Sequence, residues 1–424
     1  MLLRRINVQQ AVKSLVQNRE GFAAAAVNAK RFISTSEGVN SDFVTKKEPK
    51  ISPSELDQRQ KLKKTIRTLS TLNHSVPLAA RASVSKDESR EFMAVFPDLV
   101  RDLTEAISKY DPKFAAKWYA KALQYNVPRG KKNRGLATVL TYKQLVDKSE
   151  LTPENVRLAQ YVGWCVEMLQ AMFLVFDDVM DGSTTRRGQP CWHRMDGVGL
   201  IAINDALMIE NGIYHILKKY FSHTEYYTKL VDLFREVTLI TTTGQSLDAQ
   251  MANKDPTHFT MEKYKTIVAN KTSYYTFYLP VAAPMHMCGF TDPEVFRQAK
   301  TILLEMGHFF QIQDDFLDCF GDPAITGKVG TDIQENKCSW LAIVCMQRAS
   351  DEQKAIMKEC YGQKDPAKVA RVKELYKELG IPNTYAVYEE ESYNMIKTHI
   401  QQTSRGVPHQ IFLKILDKIY QRDS

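Results

Sequence analysis

The chain has 424 residues, of which 44% are hydrophobic and 25% charged, and its formal net charge is +8. This composition is that of an ordinary soluble protein with enough residues for one large core or two modest ones. It contains no uninterrupted apolar run of about 18 residues, so we expect no transmembrane segment. The seven cysteines show no CxxC spacing. We interpret them as reduced core thiols, which argues against a secreted protein.

The positive charge is concentrated at the N-terminus, which argues against a nucleic-acid-binding protein. Residues 1–36 contain six Arg or Lys and one Glu, a net charge of +5, so the other residues carry +3 of the total of +8. A basic, acid-poor leader with an alanine run is typical of a mitochondrial transit peptide, and we exclude it from the fold. The alternative is a disordered basic arm that stays attached. We expect a mitochondrial matrix protein, or a cytosolic one if the leader is skipped or inactive.

The rest of the chain divides into a polar linker and a helical domain. Residues 37–84 contain three prolines and no sustained hydrophobic period, which predicts a poorly structured linker. From Phe92 to Ile107 the apolar residues recur at the three-four spacing of a helix with one buried face. Residues 85–424 are therefore predicted to form a single all-helical domain, because the same spacing recurs and no series of alternating strands appears.

Further helices are predicted along this domain. Thr152 and Pro153 form a cap and first-turn pair that opens a long apolar helix. The remaining predicted helices cover residues 202–220, 226–251, 260–289, 292–320, 335–348, 366–379, 384–402 and 408–422.

Two acidic clusters end two of the apolar helices. The stretch "LVFDDVMDG" contains Asp177, Asp178 and Asp181, and at about 100° per residue the first and third point the same way. The stretch "FFQIQDDFLDCFGD" repeats the arrangement with Asp314, Asp315 and Asp318. If the two helices face each other, up to six carboxylates meet in one cavity.

Such a cluster needs cations, because like charges in a low dielectric would otherwise take up protons or repel each other. Hard oxygen ligands without histidine favour Mg²⁺, which is held by a few carboxylates together with substrate phosphates. A Ca²⁺ EF-hand does not fit, since neither stretch has the required glycine and glutamate positions. The alternative is a solvated acidic face, but both stretches lie in apolar, aromatic-rich helices, where burial is expected.

Basic residues near the acidic clusters predict a site for two anionic groups. Lys131 and Arg134 lie on a loop that enters a helix, which is a good setting for an anion. The other candidates follow the two clusters in the sequence: Arg186, Arg187, Lys328 and Lys337.

From about residue 88 to the C-terminus, the chain contains the segments "GKKNRG", "GWCVEMLQAMFLVFDDVMDGSTTRRGQPCW", "GQSLD", "YKTIVANKTSYYTFYLP", "EMGHFFQIQDDFLDCFGDP" and "TGKVGTDIQENKCSW". In these segments it resembles the short-chain trans-prenyltransferase family, in the pattern of its farnesyl diphosphate synthases. It implies an all-α orthogonal helical bundle around a deep central cavity, usually as a homodimer. The implied reaction joins isopentenyl diphosphate head-to-tail to dimethylallyl and then geranyl diphosphate, by ionisation, condensation and elimination, to give farnesyl diphosphate.

The resemblance also implies roles for individual residues. Three Mg²⁺ ions, with Mn²⁺ as a substitute, would grip the allylic diphosphate. Their direct ligands would be Asp177, Asp181 and Asp314, and the set is completed or supported by Asp178, Asp248, Asp315 and Asp318. The allylic diphosphate would contact Arg186, Lys271 and Lys328. The isopentenyl diphosphate would contact Lys131, Arg134, Gln170, Arg187 and Arg422. The positions around the reacting carbons and phosphates are Gln245, Thr272, Tyr275, Gln311 and Lys337.

Product length follows from helix geometry. Phe173 and Met172 lie about one turn, roughly 5.4 Å, below the first acidic cluster and would form the floor for a growing tail. The family pattern has a second aromatic residue where this chain has Met172, whose flexible thioether could yield. Farnesyl diphosphate is the expected product, with mainly geranyl or geranylgeranyl diphosphate as the alternative. A second departure is Arg129, where the pattern has the first glycine of a Gly-Gly-Lys loop.

Two rival functions share parts of this pattern. A terpene cyclase or a head-to-head condensing enzyme can have the helical fold and one acidic motif, but would not need a second full motif with both sets of basic residues. A non-catalytic paralogue can keep the fold, but all six aspartates and the basic residues are intact here.

Overall fold

Helices make up nearly all of the regular structure in a computed structural model of the chain, which describes residues 86–326, 329–403 and 406–420. The predicted leader and linker lie outside the described residues, as do Lys328 and Arg422.

The α-helices of the described residues have the following bounds. In chain order they are α1 Lys86–Ser108, α2 Ala115–Asn126, α3 Asn133–Leu145, α4 Pro153–Met180, α5 Ile201–Phe221, α6 Tyr227–Met251, α7 Met261–Ile267, α8 Leu279–Met287, α9 Pro293–Phe320, α10 Pro323–Thr326, α11 Trp340–Arg348, α12 Asp351–Cys360, α13 Pro366–Glu378, α14 Ile381–Gln402 and α15 His409–Tyr420. Between α7 and α8 the chain continues as a π-helical segment, Val268–Tyr278. Short 3₁₀ turns cover Trp192–Arg194 and Pro256–His258. The only strands in the described ranges, β1 Thr185–Arg186 and β2 Gln189–Pro190, pair antiparallel.

The all-helical prediction is confirmed, and its helix boundaries are mostly close. Thr152 caps α4 as predicted, accepting a hydrogen bond from the backbone N–H of Asn155. The predicted helix 335–348 was wrong at its start, because Ser339 caps the helix and α11 begins only at Trp340. No helix was predicted at the positions of α2, α10 and α12. All three are short, so they show few repeats of the apolar period.

The helix α4 lies at the centre of the largest apolar cluster. Trp164 is fully buried, stacks on Phe92 at a ring-centroid distance of 4.5 Å and donates its indole N–H to the carbonyl oxygen of Phe92 at 2.9 Å. By length and composition α4 alone among the described helices could cross a membrane, but 83% of its apolar window is buried inside the protein. This burial is that of a core helix.

Two further apolar clusters complete the core. One joins α7 to α11–α14 around buried side chains such as Trp340 and Tyr376, and the other joins α8 and α9 to α14 and α15. Apolar residues of these clusters pack around α4, α6, α9 and the π-helical segment. Polar residues of the same four elements contact each other.

Candidate active site

The first acidic cluster lies at the C-terminal end of α4 and is bound by an arginine from β1. Asp177 is half-buried, Asp178 is buried, and Asp181 is the C-cap residue of the helix. The guanidinium of Arg186 donates to Asp178 Oδ1 at 2.6 and 2.9 Å and to Asp177 Oδ2 at 3.2 Å. The hairpin that follows α4 therefore places the guanidinium of Arg186 beside the carboxylates at the C-terminal end of α4.

Two lysines from distant parts of the chain reach the same cluster. Lys271, in the π-helical segment, lies 2.6 Å from Asp248 Oδ2 and 3.3 Å from Asp177 Oδ1. Lys337, in the loop before α11, lies 3.1 Å from Asp181 Oδ2 and 3.2 Å from Asp248 Oδ2. Three carboxylates and two ammonium groups thus form one connected network.

Most of these groups remain charged although Asp248 is buried and the others are half-buried. Burial opposes ionisation of Asp177 and Asp248, but Lys271 and Lys337 outweigh it and hold the pKa of both carboxyl groups below the usual range. Burial likewise disfavours charge on the two lysines, and the facing carboxylates raise the pKa of both. Asp181 differs, since burial raises its pKa and Lys337 offsets only part of that effect.

The second acidic cluster, on α9, binds the backbone of the loop that carries Lys337. Buried Asp315 accepts hydrogen bonds from the hydroxyl of Tyr264 and the N–H of Trp340, both at 2.8 Å. Asp318 accepts from the N–H groups of Asp332 and Thr331 at 3.0 and 3.3 Å. These two carboxylates therefore support the loop. Asp314, which directly precedes Asp315, is half-buried and has its own interactions.

The loop 329–339 lies between the two acidic clusters. Burial raises the pKa of Glu335 in this loop, and both Asp181 and Asp318 raise it further. Burial also raises the pKa of Cys338 to about 12, with contributions from Asp248 and Asp315. The same loop also binds Asp318 through the N–H groups of Thr331 and Asp332, and Asp181 through Lys337. The two clusters therefore lie on two sides of a single site.

The donor set fits Mg²⁺ bound together with a phosphate-containing substrate. Within the described ranges, no three His, Cys, Asp or Glu side chains are arranged to hold a metal ion by themselves. Mg²⁺ keeps several waters and is usually bound through one or two carboxylates and substrate phosphates, so a complete protein cage is not required. The carboxylates of α4 and α9 supply only hard oxygen donors, which suits this ion.

A second group of basic residues lies near the N-terminus of α3. The guanidinium of Arg134 donates to Thr276 Oγ1 at 2.9 and 3.2 Å and lies 4.8 Å from the centre of the Tyr275 ring. Arg187, at the tip of the hairpin, donates to the carbonyl oxygen of Arg129. Lys131 is exposed beside them, and Gln170 is buried on α4.

Polar and aromatic side chains of α4, α6, α9 and the π-helical segment also lie at this site. The hydroxyl of Thr272 donates to Gln311 Oε1 at 2.9 Å, and the amide of Gln311 donates to Asp315 Oδ1 at 3.1 Å. Gln245 similarly donates to Asp177 Oδ1 at 3.2 Å. The rings of Phe173 and Tyr275 are 5.4 Å apart, with Met172 buried beside them.

Sequence reasoning missed two residues that hold this arrangement. Glu167, buried on α4, accepts a hydrogen bond from the N–H of Gly135 at 2.8 Å and lies near Arg134 and Arg187. Burial raises the pKa of Glu167. Tyr264 donates to Asp315, as described above. A charged residue within the apolar run of α4 was the only signal in the sequence that could have indicated Glu167.

An all-helical fold with two acidic clusters and two groups of cations around one site defines a prenyltransferase of the diphosphate-ionising class. The polyprenyl synthetase family model matches residues 116–379. The chain belongs to this family.

Individual relatives agree with this assignment. The chain is 52% identical over 342 residues to the farnesyl pyrophosphate synthase of Nezara viridula, covering 80% of this chain and 84% of the relative. It is 50% identical over 343 residues to that of Gallus gallus, covering 80% and 94%. A solved T. brucei farnesyl diphosphate synthase complexed with risedronate superposes with a TM-score of 0.73 at 32% identity, covering 78% of this chain and 99% of that one.

Proposed function

We propose that this prenyltransferase condenses isopentenyl diphosphate with dimethylallyl diphosphate and then with geranyl diphosphate to give farnesyl diphosphate. The observation that carries the proposal is the network of Lys271, Lys337 and Arg186 with the aspartates of α4 and α6, opposite the second acidic cluster. The relatives at about half identity are named for the same product.

The allylic diphosphate binds where the first group of cations meets the acidic clusters. Lys271, Lys337 and Arg186 each have an N–H that can turn from an aspartate to a phosphate oxygen. Asp177, Asp181 and Asp314 would hold Mg²⁺ here, and the bound ions would neutralise charge on the diphosphate. We propose three ions, with Mn²⁺ as a substitute.

The reaction begins when the allylic C–O bond breaks and its electron pair leaves with the diphosphate. Preset cations such as Lys271 and Arg186 stabilise the negative charge that develops on this leaving group. The carbocation left behind faces the oxygen atoms of Thr272, Gln311 and Tyr275. The surrounding apolar core excludes the water that would quench it.

The second substrate binds at the N-terminus of α3. In this proposal the isopentenyl diphosphate is held by Lys131, Arg134 and Arg187, together with Gln170 and Arg422. The double bond of this substrate attacks the carbocation and forms the new C–C bond. A proton is then lost to the released diphosphate, which completes the balance without a covalent enzyme intermediate.

The floor of the site sets product length in this proposal. Phe173 and Met172 lie one turn before Asp177, and the Phe173 ring packs at a tilt against Tyr275. Release of mainly geranyl or geranylgeranyl diphosphate is the alternative, because Met172 can change conformation more readily than a ring.

The test is a chromatogram of the products that the full chain makes from dimethylallyl and labelled isopentenyl diphosphate with Mg²⁺. We expect farnesyl diphosphate as the main product. A terpene cyclase would incorporate no label, and a non-catalytic paralogue would turn over neither substrate. Either outcome would refute the proposal.

We propose further that the chain forms a homodimer through α5 and α6. Ile203 and Leu207 on α5 and Leu239 on α6 are large apolar residues that are 39–69% exposed. The guanidinium of Arg235 on α6 lies 5.1 Å from the ring centre of Tyr214 on α5, so these two helices are neighbours. Replacing Leu207 and Leu239 together with Glu should convert the dimer to a monomer in sedimentation velocity, and a native mass that stays dimeric would count against this interface.

We also propose that residues 1–36 direct the protein to the mitochondrial matrix. Six basic residues against one acidic residue support this. A fluorescent reporter fused after residue 50 should enter mitochondria, and the same fusion with its arginines and lysines changed to Gln should not. Diffuse cytosolic fluorescence of the unchanged fusion would reject the proposal and favour the cytosolic alternative.

A further inference from the structure

The side chain of Arg129 folds back onto an aromatic ring. Its guanidinium carbon is 3.8 Å from the centre of the Tyr125 ring, the shortest cation-to-ring distance in the part of the chain that the structure describes. Arg129 has no left-handed backbone conformation, unlike Gly130, whose φ is +87°. The backbone therefore does not require glycine at position 129.

Tyr125 is bound in turn to the hairpin that follows α4. Its hydroxyl donates to the carbonyl oxygen of Pro190 at 2.7 Å, and its ring centre is 5.1 Å from that of Trp192. The backbone makes a second connection, since Arg187 donates to the carbonyl oxygen of Arg129. The Arg187 guanidinium also lies against Gly130, where an added Cβ would be 2.6 Å from its Cζ atom.

We propose that Arg129 is a positioning residue that fastens the loop 128–132 to the hairpin 184–191 through Tyr125, and so raises the affinity for isopentenyl diphosphate. This inference rests on the proposed function. Lys131 is on the loop and Arg187 is on the hairpin, so the two segments supply cations to the same diphosphate. Holding them together before binding lowers the entropic cost of ordering them around the ligand.

The stacked geometry separates this role from direct phosphate binding. A guanidinium over an aromatic face is attracted by the ring, and such contacts contribute roughly two- to fivefold to an equilibrium at exposed sites. Arg129 therefore acts through Lys131 and Arg187. Its loss should weaken binding of isopentenyl diphosphate and leave the allylic substrate, bound by Arg186 and Lys271, unaffected.

The test uses initial rates of the full-length chain with isopentenyl and geranyl diphosphates varied separately. In Arg129→Ala we expect KM for isopentenyl diphosphate to rise roughly two- to fivefold. The kcat value and KM for geranyl diphosphate should stay unchanged. Arg129→Lys should give a smaller rise, because the ammonium keeps the charge but not the planar stacking. In a Tyr125→Leu background, Arg129→Ala should add nothing, because the stacking partner is already absent.

The matched control is Lys113→Ala, just before the helix that carries Tyr125. Its ammonium lies 5.5 Å from the ring centre of Phe114, so this variant removes a similar contact between residues that take no part in the proposed connection. It should leave both KM values unchanged. Thermal melting checks folding, and Arg129→Gln replaces any alanine variant that does not fold.

Three results would overturn the inference. They are an unchanged KM for isopentenyl diphosphate in Arg129→Ala, an equal rise in KM for both substrates, and full additivity with Tyr125→Leu. Failure of the unaltered chain to condense the two substrates would instead overturn the proposed function.

Discussion

Asp248 serves as the shared partner of two lysines that arrive from different parts of the chain. The resemblance placed it among the metal-binding carboxylates. In the structure it is buried on α6, and a single oxygen, Oδ2, accepts hydrogen bonds from Lys271 and Lys337 at 2.6 and 3.2 Å. Both lysines also reach α4, so Asp248 aligns the cations that face the allylic diphosphate.

Replacing Asp248 with Asn should lower kcat about ten- to hundredfold, the usual effect of losing a supporting partner in such a site. The two lysines would lose their common charged partner and shift towards Asp177 and Asp181. Steady-state rates measure the effect, with circular dichroism to show that helicity is retained. Asp232→Asn, an exposed change on the same helix, should be neutral. Near-normal turnover in Asp248→Asn would contradict this role.

Replacing Phe173 with Ala should lengthen the product. The ring of Phe173 packs against Tyr275 one turn below the acidic cluster, and its removal opens space where the tail of farnesyl diphosphate would end. We expect geranylgeranyl diphosphate to become a major product in the chromatogram. Leu174→Ala, on the side of α4 that faces Tyr125 and Arg129, is the control and should leave the product distribution unchanged. An unaltered distribution in Phe173→Ala would place the floor elsewhere.

At the scale of elements, the π-helical segment determines where the catalytic side chains lie. The sequence predicted one helix from 260 to 289, and the chain is indeed continuously helical from Met261 to Met287. Its wider central turns pack against two glycines. A Cβ at Gly244 would lie 2.2 Å from the backbone nitrogen of Lys271, and one at Gly307 would lie 2.2 Å from Ser273 Oγ. Widened turns of this kind are frequent at functional sites.

Replacing Gly244 with Ala should therefore disturb catalysis as well as stability. The new methyl group meets the backbone of Lys271, which cannot move without displacing the side chains of Lys271 and Thr272. We expect a loss of about 1–3 kcal/mol in the free energy of unfolding. A drop in kcat should be measurable at temperatures where the variant is fully folded. Thr243→Ala, an exposed change at the preceding position, is the control. A stable Gly244→Ala variant with normal kcat would contradict the close packing.

At the scale of the whole molecule, acid stability depends on a histidine on α9. Burial lowers the pKa of His308 to about 4, with a further contribution from Lys265, while the unfolded value is 6.5. Above about pH 6.5 the ring is neutral in both states and has no effect. As the pH falls from 6.5 towards 4, only the unfolded state takes up the proton, so the folded state loses stability.

Replacing His308 with Gln should remove this loss of stability between pH 6.5 and 4. We expect the free energy of unfolding of the unaltered chain, relative to that of His308→Gln, to fall steadily between pH 6.5 and 4. Burial raises the pKa of Asp315, so protonation of this carboxyl stabilises the folded state as the pH falls. Both proteins contain Asp315, so its effect cancels when their free energies of unfolding are subtracted. Denaturant titrations at several pH values provide the measurement. The control is the exposed change His258→Gln, whose free energy of unfolding should depend on pH as that of the unaltered chain does. The same pH dependence in His308→Gln would contradict the role of His308.

The positions of the helices and of the acidic clusters could be predicted from the sequence alone, because helical period, capping residues and the order of charges are local properties. Thr152 and Pro153 predicted the start of α4 as a long apolar helix, and the two acidic stretches predicted where charge would accumulate. Such patterns depend only on neighbours three or four positions apart, so they can be read without knowing how the helices pack.

Only the tertiary structure decided which charges meet. Lys337 binds Asp181 across 156 positions, and Asp315 binds the N–H of Trp340 and the hydroxyl of Tyr264. The stacking of Arg129 on Tyr125 likewise depends on how the loop packs beside the hairpin. The physical reason is that a buried charge takes the partner that helix packing brings within about 3 Å, and spacing along the chain does not specify that partner.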